Sequence, residues 1–86
     1  MKVIALEDVV INESPIYYRK LYKALAVMEI LQKNESFNID FSIEYQPTGQ
    51  KEISIKFLDK MEYPLVPVLR ELKAFIYQQE TAGILP

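Results

Sequence analysis

The alternation of apolar and polar positions is clearest between Phe37 and Phe57. Phe37, Ile39, Phe41, Ile43 and Tyr45 alternate with Asn38, Asp40, Ser42 and Glu44, and Ile53, Ile55 and Phe57 alternate with Glu52, Ser54 and Lys56. A period of two marks strands with one buried and one wet face. Gln46-Pro47-Thr48-Gly49-Gln50 separates them as a turn, with Gly49 free to take positive φ. Both apolar sets must share a face, so the loop must hold an odd number of residues, centred on Thr48. That register sets Ile43 against Ile53, Phe41 against Ile55 and Ile39 against Phe57. It also sets Asp40 favourably against Lys56 and Glu44 unfavourably against Glu52.

Upstream, Lys2 to Leu6 and Val9 to Ile11 are β-rich around the Glu7-Asp8 pair. They read as one bulged strand or two short ones, ending at Asn12. Val3, Ala5, Val9 and Ile11 lie on one parity and Ile4, Leu6 and Val10 on the other. A strand with one wet face alternates, so cover is expected on both faces of this one.

Ser14-Pro15 has the form of a helix start, a capping residue followed by Pro at the first helical position. The expected helix runs to about Lys33 and closes at Asn34. At about 100° per residue, Tyr17, Leu21, Ala24, Leu25, Met28 and Leu31 share its core face. Its back is basic in the first half (Arg19, Lys20, Lys23) and apolar in the second (Ala26, Val27, Ile30). A second helix follows Pro64 and Pro67, from Leu65 to about Glu80, with Leu65, Val68, Leu69, Leu72, Phe75 and Ile76 inward. Gly83 stands where a left-handed cap is expected.

The predicted order is β-α-β-β-α. The fold class it implies is α+β, a two-layer α/β sandwich of a three-stranded antiparallel sheet (order 1-3-2) with two helices on one face. This is a split β-α-β unit, or a ferredoxin-like fold lacking its last strand. The predicted core is Leu21, Leu25, Met28, Ile39, Phe41, Ile43, Ile55, Phe57, Leu69 and Leu72.

Composition narrows the function classes. The chain has 86 residues, half of them hydrophobic and 26% charged, and reads as a single domain, residues 1–86. A net charge of -2 provides no global field for nucleic acid or an anionic membrane. Cys and His are absent, which removes thiolate metal sites, disulfides and the commonest general base. The apolar run Val3–Leu6 is too short for a signal peptide, and no run reaches transmembrane length, so a soluble cytoplasmic protein is expected. Without His or a Gly-rich elbow, the serines have nothing to activate them. Ser54 beside Lys56, and Glu44 opposite Glu52, read as solvated sheet surface. No catalytic residue, metal ligand or cofactor site is expected, and the chain is read as no enzyme.

The densest polar feature is Tyr17-Tyr18-Arg19-Lys20-Leu21-Tyr22-Lys23. Three cations in the first half of a helix oppose its macrodipole and invite an anion. Tyr18, Arg19, Lys20, Tyr22 and Lys23 are therefore the candidate binding residues. A ferredoxin-like RNA binder stacks bases on aromatics of its open sheet face. The face expected here (Asn38, Asp40, Ser42, Glu44, Glu52, Ser54, Lys56, Leu58) has none, which disfavours nucleic acid as a partner.

The expected function is a small non-catalytic protein-binding or scaffold module that associates with itself and with another protein. A nucleic-acid- or anion-binding role for Tyr18, Arg19, Lys20 and Lys23 is the alternative. The homodimer expectation rests on an unblocked edge strand and on apolar residues with no cover inside one chain. Its interface residues are Ile4, Leu6, Val10, Val27, Ile30 and Leu58.

Overall fold

A computed structural model describes residues 1–86. The strongly alternating segment forms β3 (Lys33–Tyr45), and its partner forms β4 (Lys51–Phe57). They pair antiparallel with Ile43 opposite Ile53, Phe41 opposite Ile55 and Ile39 opposite Phe57, the register that the alternation predicts. Gly49 sits at φ 88 in the turn, a left-handed conformation that costs glycine nothing sterically. Past Phe57, the Leu58 amide donates to the Asn38 carbonyl, and the Asp59 carboxylate accepts from the Asn38 amide at 2.7 Å. These bonds close the ladder.

The expected first helix is instead a strand. β1 (Lys2–Asn12) and β2 (Arg19–Ile30) form an antiparallel hairpin, and β2 pairs along its whole length with β3. The sheet has four strands in the order β1-β2-β3-β4, with one helix, α1 (Leu65–Thr81). This overturns the two-helix, three-stranded sandwich and its 1-3-2 order. β2 holds strong helix formers (Ala24, Leu25, Ala26, Met28, Lys20, Lys23), but intrinsic propensity is a weak prior. A central position, hydrogen-bonded on both edges, outweighs it. Ser14-Pro15 lies in the connecting loop, where the Ser14 hydroxyl accepts from the Ile16 amide at 3.2 Å. The same residue types that cap helices also close tight turns.

Two bulges in β1 explain its apolar residues on both parities. Val3 faces Met28 and Ala5 faces Val27, so Ile4 is an extra residue. Glu7 faces Leu25 and Val10 faces Lys23, so Asp8 and Val9 together span Ala24. Asp8 takes φ 53 there, a conformation that Asp tolerates better than most residues. Each bulge shifts the side-chain alternation by one residue. Val3, Leu6 and Ile11 consequently pair with Met28, Ala26 and Tyr22 on one and the same face. No second covering layer is required.

α1 covers that face. Val68, Leu72 and Ile76, four residues apart, are fully buried and share one cluster with Tyr22, Ala24, Ala26, Met28, Ile39 and Ile43. Its backbone approaches the edge strands β1 and β4 more closely than the central strands, so the sheet curls around it. Ala24 and Ala26, at 2% and 0% exposure, leave the middle of that concave face to the helix side chains. Gly83, at φ 72, ends α1 in a Schellman pattern, with Gly83 donating to Glu80 and Ile84 to Gln79. Of the predicted core, Met28, Ile39, Phe41, Ile43 and Leu72 are buried, and Ile55 and Phe57 pack against them. Leu21 and Leu25 lie instead half-buried on the sheet's open face, opposite Ser42 and Asn38.

The β2–β3 turn is strained. Ile30 pairs with Lys33, and Leu31 and Gln32 between them take φ 52 and 66. A two-residue loop with both φ values positive favours Asn-Gly. Replacing Leu31-Gln32 by Asn-Gly should stabilise the fold by about 1 kcal/mol. The check is a rise in the urea midpoint at unchanged slope.

Candidate binding surfaces

Forming a strand instead of a helix divides the basic-aromatic run. Lys20 and Tyr22 fall on the helix-covered side, whereas Arg19, Leu21 and Lys23 fall on the open side. Arg19 donates to Glu44 at 3.0 Å, and Lys23 faces Asp40 across the sheet. The expected single cationic face of Tyr18, Arg19, Lys20 and Lys23 therefore does not exist, and two of its cations sit opposite carboxylates. Glu44 and Glu52 do oppose each other. Each is engaged by a neighbour, Glu44 by Arg19 and Glu52 by the Gln46 amide at 3.0 Å.

At the end of the sheet that carries the β1–β2 loop and the β3–β4 turn lie two adjacent clefts. The larger, an open cleft of about 820 Å³, is lined by Tyr17, Tyr18, Glu44, Tyr45, Gln46 and Pro47. Both of its walls are held by main-chain bonds. The Tyr45 amide donates to the Tyr18 carbonyl at 2.8 Å, Arg19 to Ile16 at 3.1 Å, and Gln46 to Gln50 at 2.9 Å. Tyr17 and Tyr18 meet edge to face at 5.5 Å. Tyr17 is 97% exposed and Tyr18 41%.

The smaller cleft, about 280 Å³, lies against the C-terminal end of α1 among Lys20, Tyr22, Tyr45, Lys51, Glu80 and the chain's last residues. Lys51 donates to Glu80 at 2.8 Å, and the Tyr45 hydroxyl approaches the other Glu80 oxygen at 3.4 Å. Lys20 lies over the Tyr45 ring at 5.6 Å and Lys51 over Tyr77 at 5.3 Å. Burial, reinforced by the Glu80 charge and then by Tyr22, pushes the Tyr45 hydroxyl up to about 12. Burial, followed by the same charge, raises Tyr22. Both phenols stay protonated hydrogen-bond donors, and Tyr22 donates to the Pro86 carbonyl at 3.2 Å. Tyr45 is thus the wall between the two clefts. Sequence reasoning missed Tyr45, Lys51 and Glu80 as site residues. Tyr45 read as the last core position of its strand, and nothing local signals that residues 29 apart share an ion pair.

The open face divides into two halves. Over β3 and β4 it shows Asn38, Asp40, Ser42, Glu52, Ser54 and Lys56, the polar surface that the alternation predicts. Over β1 and β2 it shows Leu21, Leu25 and Val27 beside Ala5 and Val10, interrupted by Lys23 and Glu7, with no element of the chain above them. Of the expected interface residues, Ile4, Val10 and Leu58 are exposed and Val27 is half-buried on this open face. Ile30 is 3% exposed beneath α1, and Leu6 is half-buried against the core, so both lie on the helix-covered side rather than on this open face.

No helix of the chain is long and apolar enough to cross a membrane. The family model that matches residues 1–81 is that of the BB-0187 family. No curated protein and no solved structure matches the chain.

Proposed function

The chain belongs to the BB-0187 family, and we propose that this member is a non-catalytic protein-binding module that self-associates through the open face of its β1–β2 hairpin. The carrying observation is that Leu21, Leu25 and Val27, flanked by Ala5 and Val10 and interrupted only by Lys23 and Glu7, lie on a sheet face that nothing in the chain covers. An antiparallel sheet facing water selects polar residues on that side, as β3 and β4 do here. The second support is size, because a chain this short buries a limited core and gains most from association. The cytoplasmic setting expected from the sequence is kept as part of the same proposal.

Edge-to-edge pairing of β1 is the less favourable route to a dimer. Its two bulges twist the free edge and interrupt its row of hydrogen-bonding groups, as natural edge strands do to avoid pairing. Face-to-face packing over β1 and β2 uses the apolar residues of the open face without asking for that edge. The alternative, a nucleic-acid- or anion-binding face of Tyr18, Arg19, Lys20 and Lys23, is the less favoured reading, since Arg19 pairs with Glu44 and strand parity sets Lys20 on the other side of the sheet from Lys23.

Sedimentation tests the reading. At roughly tens of micromolar the wild type should run as a dimer, and association should weaken on dilution. Val10→Lys, at a position 54% exposed, and Leu25→Lys should both yield monomers. A monomeric wild type overturns self-association. A dimer that survives both substitutions overturns the choice of face.

A further inference from the structure

We infer that the larger cleft at the end of the sheet takes a proline-rich peptide segment in the polyproline II conformation, with a basic residue of that peptide set against Glu52. This rests on the reading of the chain as a protein-binding module but not on its self-association. Polyproline II segments dock on grooves lined by aromatic rings, and they lose little entropy on ordering because the helix is already formed. The cleft offers the rings of Tyr17, Tyr18 and Tyr45 together with Pro47, in an open cleft of suitable size.

Three features favour this occupant. The first is hydrogen bonding. A polyproline II backbone has carbonyls with no internal donors, and the Tyr17 and Tyr18 hydroxyls make no hydrogen bond within the chain. The second is charge. Glu44 is neutralised by Arg19 at 3.0 Å, but Glu52 beside it receives only the neutral Gln46 amide. An unneutralised carboxylate bonded to one lining residue and opposite another complements a cation carried by the ligand. The third is preorganisation. Both walls are held by main-chain bonds, Tyr45 to Tyr18 and Gln46 to Gln50, so docking need not order them. A single nucleic-acid strand could also stack on tyrosines, but the unneutralised Glu52 carboxylate beside the cleft disfavours its phosphates.

The experiment uses the whole chain, labelled with ¹⁵N. It is titrated with an array of synthetic Pro-Xaa-Xaa-Pro peptides headed by arginine, with alanine-for-proline peptides and oligo(dT) as controls. The expected result is saturable binding of proline-rich members only, with shifts confined to Tyr17–Lys20 and Glu44–Glu52. Tyr17→Ala and Tyr18→Ala should each weaken binding about tenfold, the scale of an interface anchor. Both are exposed positions, and an unchanged melting temperature confirms the fold. Glu52→Lys should weaken binding of the arginine peptide and restore binding of a partner peptide headed by glutamate. Absence of binding by every member overturns the inference, as do binding unchanged by both tyrosine substitutions and preference for oligo(dT). A wild type that dimerises but binds no peptide sinks this inference alone. Peptide binding by a monomer sinks only self-association.

Discussion

Phe41→Ala is expected to bring the protein to the edge of unfolding at room temperature. Phe41 is 3% exposed and stacks on Tyr22, with ring centroids 4.8 Å apart and planes within 12°. Truncating a buried phenylalanine costs about 3–5 kcal/mol, from lost transfer energy and from the cavity left behind. A domain of this size has a total stability of about 5–15 kcal/mol, towards the low end for a small core. The loss extends beyond one ring, because Tyr22 would lose the surface it lies on and Ile39 and Ile43 flank the same strand. Phe41→Leu keeps most of the volume and should retain a cooperative transition at a lower midpoint. Circular dichroism across a urea series reads both. An Ala variant with an unchanged midpoint would show that Phe41 is not at the centre of the core.

Ala26→Glu should abolish folding, and this substitution separates the strand from the helix that local propensity suggests. On a helix spanning Pro15 to Lys33, Ala26 falls on the outer side, where glutamate is a better helix former than a strand former and costs little. In β2 the same residue is 0% exposed, opposite Leu6 and Phe37 and beneath α1. A carboxylate there has no cation within reach among its apolar neighbours. Burying an unpaired charge costs several kcal/mol even after its pKa has risen to neutralise it. Ala26→Ser, which adds one small polar group, should cost only about 1–3 kcal/mol. A soluble, cooperatively folding Glu variant would show that position 26 does not lie sealed beneath α1.

The β3–β4 hairpin was legible because both strands are wet on one face, so the solvent imposes the alternation directly on the chain. α1 was legible for the same reason, its inner stripe of Val68, Leu72 and Ile76 standing out against Arg70, Glu71 and Lys73. β2 was not legible. A central strand hydrogen-bonded on both edges is held by pairing more than by its own propensity, and its open face mixes Leu21, Leu25 and Val27 with Arg19, Lys23 and Glu29. The even-numbered run Tyr22, Ala24, Ala26, Met28, Ile30 was a strand signal. Leu21 and Leu25 masked it, since an apolar open face makes a helical stripe and a two-sided strand equally consistent with the sequence. Those two leucines are also the residues on which the proposed association rests, so the misreading and the candidate surface have one cause.

The candidate site divides in the same way. Tyr17, Tyr18, Lys20 and Tyr22 stood out locally as a dense basic-aromatic run. Their grouping into separate clefts depended on strand parity, and the contributions of Tyr45, Pro47, Lys51 and Glu80 depended on where distant segments end. What the sequence by itself determined was the hairpin register from Ile39 to Phe57, the extent of α1, and the two glycines at positive φ. In each of these, solvent or local sterics act on neighbouring residues. What only the tertiary structure decided was the conformation of residues 19–30, the bulges that bring both parities of β1 to one face, and the meeting of two clefts at Tyr45. Each of these is set by pairing between segments far apart in the chain, and that pairing leaves no periodic mark on either segment alone.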